Sequence, residues 1–279
     1  MSSARRHNHC MPRTASSFYF NLRQAPYQPA MANLQHIGVA LNTYEKWWSM
    51  RINKYISQTG FCSRRETNRL IASGRITING KVCEKGAEVE PEDIVLIDGQ
   101  EIPHNDSEPV YLALNKPMGI VCTAAEEVEG NIIRYVNYPS RIFAIGRLDK
   151  ASEGLILLTN DGDIVNKMMR SEHDHEKEYV VTVDRPVTDE FMRRMSQGVE
   201  ILDVVTKPCE VFRQSEAVFR IILTQGLNLQ IRRMCKALGY RVLKLERIRI
   251  MNITLDQLER GKWRHLEERE LHKLLFMLN

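Results

Sequence analysis

Three features of the sequence predict an α+β protein with a small unit followed by a larger one. Its 279 residues exceed the ~150 of an average domain. A polar stretch with proline at both ends, Pro103-His104-Asn105-Asp106-Ser107-Glu108-Pro109, reads as a linker. Beyond it, strand-like runs outnumber helical ones and lie far apart, which suits a mixed or antiparallel sheet with helices packed on it.

Residues 1–50 combine Ser, Arg, His, Asn, Gln and Pro without a hydrophobic period, so a disordered extension is expected there. The first folded unit is assigned to 51–102. Ile52 to Gln58 reads as a short helix stopped by Gly60. Ser63-Arg64-Arg65-Glu66 has the spacing of a capping box and opens a helix that runs to about Ser73, where Gly74 ends it. Asn79-Gly80 between Ile76–Ile78 and Lys81-Val82 is the dipeptide of a type I′ hairpin. Pro91-Glu92-Asp93 then turns into a strand at Ile94–Ile97, and Asp98-Gly99 turns again into Glu101-Ile102.

The second unit is assigned to 110–279, after a linker at 103–109. Strands are expected at Val110–Leu114, Ile142–Ile145, Leu155–Thr159, Tyr179–Val183, Val218–Leu223 and Arg241–Ile250. Helices are expected at Ile164–Met169, at Asp189–Gln197 between the Thr188 cap and Gly198, at Leu229–Leu238 before Gly239, and at Glu267–Met277.

Composition limits the function classes. At 43% hydrophobic and 27% charged residues the chain has the makings of a soluble core, and no apolar run approaches the ~18 residues of a membrane span. The six cysteines form no CxxC pair and have no histidine at zinc spacing, so buried, inert thiols in a reducing, cytoplasmic setting are expected. The net charge of +4 equals the four arginines of the acid-free residues 1–44, so any nucleic-acid site must come from local clustering. Two clusters exist. Residues 51–81 hold seven Lys and Arg against Glu66 alone, and residues 226–250 hold seven against Glu246 alone. Together they favour a polyanion partner.

Phosphate-loop, dinucleotide, HExxH and GxSxG motifs are absent, and His36, His104, His173, His175, His265 and His272 stand singly, as surface or loop residues do. The unusual segment is Phe143 to Asn160, a strand, a loop carrying Arg147, Asp149, Lys150 and Glu153, and a buried strand. From its residues alone, Asp149 reads as a turn or cap aspartate, as do Asp161 and Asp163.

Two resemblances alter that weighing. Residues 51–99, with Asn-Lys-Tyr-Ile, Ser-Arg-Arg-Glu and the Gly-x-Ile-x-Ile-Asn-Gly-Lys hairpin, resemble the S4 RNA-binding domain. GRLDKASEGLILLTNDGD (146–163) resembles the catalytic motif of RsuA-family pseudouridine synthases. Asn115-Lys116-Pro117-Met118-Gly119, Lys177-Glu178-Tyr179 and Gln225 to Met234 resemble its companion motifs in the same order. The match runs from Arg51 to about Leu271, and DHEKEYVVTV (174–183) with KLERIRIMNITL (244–255) makes it resemble most the branch of the family that acts on large-subunit (23S) ribosomal RNA.

The resemblance implies a uridine isomerase with Asp149 as the catalytic carboxylate, Tyr179 stacked on the flipped base and Arg232 paired with Asp149. Arg147, Lys116 and Arg233 are expected to contact substrate or RNA, with Lys116 also shaping the floor of the site. Arg64, Arg65 and Arg69, spaced to share one helix face, are the expected phosphate contacts of the S4 unit. Leu229 stands where the family carries an arginine, so RNA affinity or site preference is expected to differ while catalysis survives. No metal or organic cofactor is implied. The expected partner of this monomer is 23S ribosomal RNA, with small-subunit (16S) or transfer RNA as alternatives and no membrane. The reading from another class is a non-catalytic ribosome-assembly factor.

Overall fold

The computed structural model describes residues 49–102, 108–169 and 174–278. The expected extension up to Trp48, residues 103–107 of the linker, and His36, His104 and His173 lie outside the described residues.

The first unit comprises β1 (Met50–Arg51), α1 (Ile52–Gln58), α2 (Arg64–Ala72), β2 (Ile76–Ile78), β3 (Lys81–Val82), β4 (Glu88–Val89), β5 (Val95–Ile97) and β6 (Gln100–Glu101). Met50, expected in the extension, instead pairs with Val89 as part of the β1–β4 ladder. Ser63 caps α2 by accepting from the Glu66 amide at 3.1 Å. The Glu66 carboxylate takes Arg69 at 3.0 Å, so only half of the predicted capping box forms. Asn79 and Gly80 have φ of 51° and 75°, both left-handed as a type I′ turn requires, and Asp98 and Gly99 repeat the device at 53° and 77°. The two turns set the sheet order β3-β2-β5-β6, whose inner face covers Ile52, Ile56, Leu70 and Ile71 of the helices.

The larger unit comprises β7 (Tyr111–Lys116), α3 (Ile132–Val136), β8 (Phe143–Ile145), β9 (Glu153–Thr159), α4 (Gly162–Met169), β10 (Lys177–Val183), α5 (Asp189–Gln197), β11 (Glu200–Ile201), β12 (Val204–Val205) and β13 (Glu210–Ser215). It continues through β14 (Val218–Leu223), α6 (Gln230–Ala237), β15 (Val242–Ile250), β16 (Ile253–Thr254), β17 (Trp263–His265) and α7 (Glu268–Met277). The main sheet runs β13-β14-β10-β15-β9-β7-β17, with β8 on β9 and β16 on β15. Its β15–β9 pair is parallel and its other pairs are antiparallel, so the sheet is mixed and the α+β class holds. Every residue of β9 is buried, as its unbroken apolar run demands of a central strand covered on both faces. Alternation divides the core there. Leu112, Leu114, Ile156 and Leu158 pack on one face with α3, while Ala113, Leu155 and Leu157 face α4 and α7 on the other.

Caps explain most helix ends. Thr188 accepts from the Phe191 amide at 3.1 Å to start α5. Asp161, as its turn reading expects, accepts from the Asp163 amide at 2.9 Å at the start of α4. Asp163 does more than turn the chain: its carboxylate meets Lys54 at 2.7 Å and Gln58 at 3.3 Å, binding α1 to α4. Arg141 adds a 2.7 Å bond to the Cys62 carbonyl, so the two expected domains share a polar seam. Among the described residues no helix is long and apolar enough to cross a membrane.

Candidate active site

The loop between β8 and β9 is held from three sides. Gly146 turns it with φ of 74°, Leu148 buries its side chain beneath it, and the Ser152 amide donates to the Asp149 carbonyl at 3.0 Å. The Gly119 amide donates to the Lys150 carbonyl at 2.8 Å, so the Asn115–Gly119 segment braces the loop through its backbone. Asp149 is left half-buried on the wall of a cleft of about 600 Å³, and its carboxylate makes no hydrogen bond or ion pair among the described residues. Arg147, Lys177, Tyr179, Gln230 and Arg247 line the same cleft.

The sheet supplies the floor. Tyr179 on β10 lies opposite Arg247 on β15, and Arg247 lies opposite Gly154 on β9, forming one row across three neighbouring strands. Arg247 Cζ stands 6.0 Å from the centre of the Tyr179 ring. Its Nε donates to the Leu155 carbonyl at 2.7 Å and its Nη1 to the Arg147 carbonyl at 3.5 Å. Burial above all pushes the Lys177 amine below the usual lysine range, and the nearby Arg247 charge adds to that. Burial likewise depresses Lys116, with Cys122 and Asp149 opposing and Arg247 reinforcing the effect.

Several expected roles differ from what the geometry provides. Arg232 does not pair with Asp149: its Nη2 donates to the Ala151 carbonyl at 2.9 Å and to Ser152 Oγ at 3.2 Å, and these loop acceptors take the guanidinium first. Lys116 is fully buried and donates to the carbonyls of Pro117 and Ile120 at 2.9 and 3.0 Å, so its amine is closed to RNA and does not line the cleft. Arg233 bonds the carbonyl and side chain of Asn228, holding the corner at which α6 begins. Leu229 forms that corner with φ of 52°, and the helix starts one residue later than expected. Arg147 is exposed at the cleft. His175 lies in the loop before β10, as expected, but is buried, lines the cleft and has Nε2 3.2 Å from the Lys167 carbonyl.

The basic clusters separate in the same way. In residues 226–250, Lys244 meets Glu153 and Glu246, Arg249 meets Glu176 and Glu178, Arg241 lies 3.9 Å from Asp184, and Arg247 is buried. Most of that charge holds the sheet together. In the first unit Lys54, Arg69 and Arg75 are paired with Asp163, Glu66 and Asp98. Arg64 and Arg65 are exposed on α2 and make no ion pair among the described residues. Of the cysteines, Cys83 and Cys235 are buried while Cys62, Cys122 and Cys209 are half-buried. Burial pushes the Cys209 and Cys235 thiols up to about 11 and about 12, which keeps them protonated and unreactive.

The comparisons with known proteins agree with this architecture. Residues 110–237 match the family model described as RNA pseudouridylate synthase, and residues 50–95 match the S4 domain. The chain is 54% identical over 231 residues to the dual-specificity RNA pseudouridine synthase RluF of Escherichia coli O6:H1, covering 82% of this chain and 80% of that one. The chain belongs to the RNA pseudouridine synthase family. The synthase is also 33% identical over 233 residues to the ribosomal large subunit pseudouridine synthase B of Bacillus subtilis, covering 80% of this chain and 95% of that one. A pseudouridylate synthase crystal structure superposes with a TM-score of 0.60 at 29% identity, covering 81% of this chain and all of that one.

Lys177 and Arg247 were not singled out from the sequence as site residues. Arg247 does leave a trace there. In β15 the buried positions Leu245 and Arg247 alternate with more open ones, so a cation stands where the period calls for an apolar side chain.

Proposed function

We propose that the synthase isomerises uridine to pseudouridine in large-subunit (23S) ribosomal RNA, with Asp149 as the catalytic carboxylate. The observation that carries the reading is the meeting in one cleft of Tyr179, Arg247 and a half-buried Asp149 that is unpaired among the described residues. Isomerisation breaks the N1–C1′ bond, turns the uracil and joins C5 to C1′, with no redox change and no outside group. An ionised Asp149 acts at the sugar as nucleophile or base. Tyr179 stacks on the extruded base, which cannot be reached while it remains in a helix. Arg232 acts as a positioning residue, fixing the Ala151 carbonyl and the Ser152 hydroxyl that follow Asp149.

The large-subunit target is supported by the name of the Bacillus subtilis relative, and the term dual-specificity in the Escherichia coli name supports testing a second RNA substrate. The test is tritium release from RNA transcribed with [5-³H]uridine. Release from 23S RNA is expected. Release from 16S or transfer RNA alone would correct the substrate, and no release from any of the three would overturn the enzyme reading in favour of an assembly factor.

Docking is assigned to the S4 unit through Arg64 and Arg65, whose guanidinium groups have no carboxylate to leave before meeting phosphate. Replacing both with alanine should flatten the slope of log Kd against log salt by about 1 to 2, the share of two phosphate contacts. An unchanged slope in filter binding would remove α2 from the interface.

A further inference from the structure

The cations of β15 are treated unequally. Lys244 has Glu153 and Glu246 within 3.0 Å, and Arg249 has Glu176 and Glu178 within 2.9 Å. Arg247 lies between them, is 3% exposed, and has no carboxylate at ion-pair distance among the described residues. Its Nη2 is buried with no hydrogen-bond partner among the described residues, while Nε and Nη1 are committed to Leu155 and Arg147 carbonyls. A buried donor without an acceptor is destabilising, more so when charged. The two buried carboxylates beside it in the sheet are already engaged, Glu153 by Lys244 and Arg260 and Glu178 by Arg220 and Arg249. The fold therefore keeps one guanidinium beside Tyr179, on the wall of the cleft, with an unmade bond and an uncompensated charge.

We propose that Arg247 stabilises the transition state electrostatically: its guanidinium, fixed in the cleft wall beside Tyr179, offsets the negative charge of the detached uracil held there. The proposal rests on the uridine isomerase reading and adds a group to it. When N1–C1′ breaks, the bonding pair stays on N1 and spreads to O2 and O4, leaving a uracil anion. C5 then bonds C1′ and loses its proton while N1 takes one up, so atoms and electrons balance without a co-reactant. The anion exists only between these two events, so a fixed cation beside it stabilises the barrier more than the bound substrate. Lys177, two residues from Tyr179 on β10 and lining the same cleft, adds to the positive field.

The experiment compares wild type, Arg247→Met and Arg247→Lys on a short RNA spanning the wild-type enzyme's mapped site. That RNA is made with uridine or 5-fluorouridine at the one position. Fluorine makes the base more acidic and hence a better leaving group, so it needs less help from a cation. With uridine, Arg247→Met should lower the single-turnover rate by about 100-fold or more while Kd moves less than about threefold, and Arg247→Lys should recover about tenfold. With 5-fluorouridine, whose consumption is followed by nucleoside chromatography, the gap between wild type and Arg247→Met should shrink to about tenfold or less. An equal gap on both bases, or a loss confined to Kd, would overturn the proposal, because a purely structural or binding role is blind to the leaving group. If Arg247→Met does not fold, Arg247→Lys alone must show the same narrowing. An inert wild type would instead overturn the isomerase reading, which separates the two failures.

Discussion

Asp149→Asn should reduce tritium release from [5-³H]uridine-labelled RNA by about 10⁴-fold or more, which corresponds to roughly 5.5 kcal/mol of lost transition-state stabilisation. Asparagine has nearly the same shape but can neither attack C1′ nor take a sugar proton at neutral pH. The substitution is unusually clean here. The Asp149 side chain makes no hydrogen bond or ion pair among the described residues, and the bond that shapes the loop uses its backbone carbonyl. Folding and RNA affinity should therefore hold, with Kd within a few-fold and the melting temperature unmoved. Turnover near the wild-type rate would remove Asp149 from the reaction. A loss of RNA binding equal to the loss of rate would make it a binding residue.

The same independence of side chain and backbone explains which parts of the site were legible in the sequence. Asp149 and Tyr179 sit in contiguous motifs whose function depends on local chain, so a sequence pattern reaches them. The role of Arg247 arises from the adjacency of β10, β15 and β9, strands that are distant in sequence, and KLERIRI alone reads as a charged strand. Lys116, expected from the resemblance to contact substrate or RNA, differs for a related reason: the two carbonyls that satisfy its amine come into view only when the chain folds. The fold was legible at Asn79-Gly80, Asp98-Gly99 and Thr188, where turn chemistry or capping is local. β13 escaped because an edge strand with only Val211 partly covered carries no alternation strong enough to detect. α3 escaped because it has five residues, held by the Asn131 cap and ended by left-handed Asn137.

Gly154→Ala should produce the largest stability loss of any single methyl added to the sheet, because the position fails on two independent counts. Its φ of 99° is a conformation side chains rarely adopt, at about 1–3 kcal/mol. A methyl there would also stand 2.3 Å from the Arg247 carbonyl oxygen and 2.7 Å from its amide nitrogen, so backbone and not a flexible side chain must yield. Overpacking of that kind costs about 1–3 kcal/mol more. The combined loss corresponds to a fall in melting temperature of about 5–20 °C. Gly162→Ala, whose methyl meets only Phe143 at 4.0 Å in α4, should leave it nearly unchanged and serves as the control. Because Gly154 and Arg247 are direct partners in the parallel ladder, relief of the clash moves β15 away from β9 and carries Arg247 with it. Activity should then fall further than the folded fraction alone predicts when both are measured below the new melting point. An unchanged melting temperature would mean that β9 and β15 lie farther apart than the structure places them, and the row joining Asp149's loop to Tyr179 through Arg247 would lose its middle.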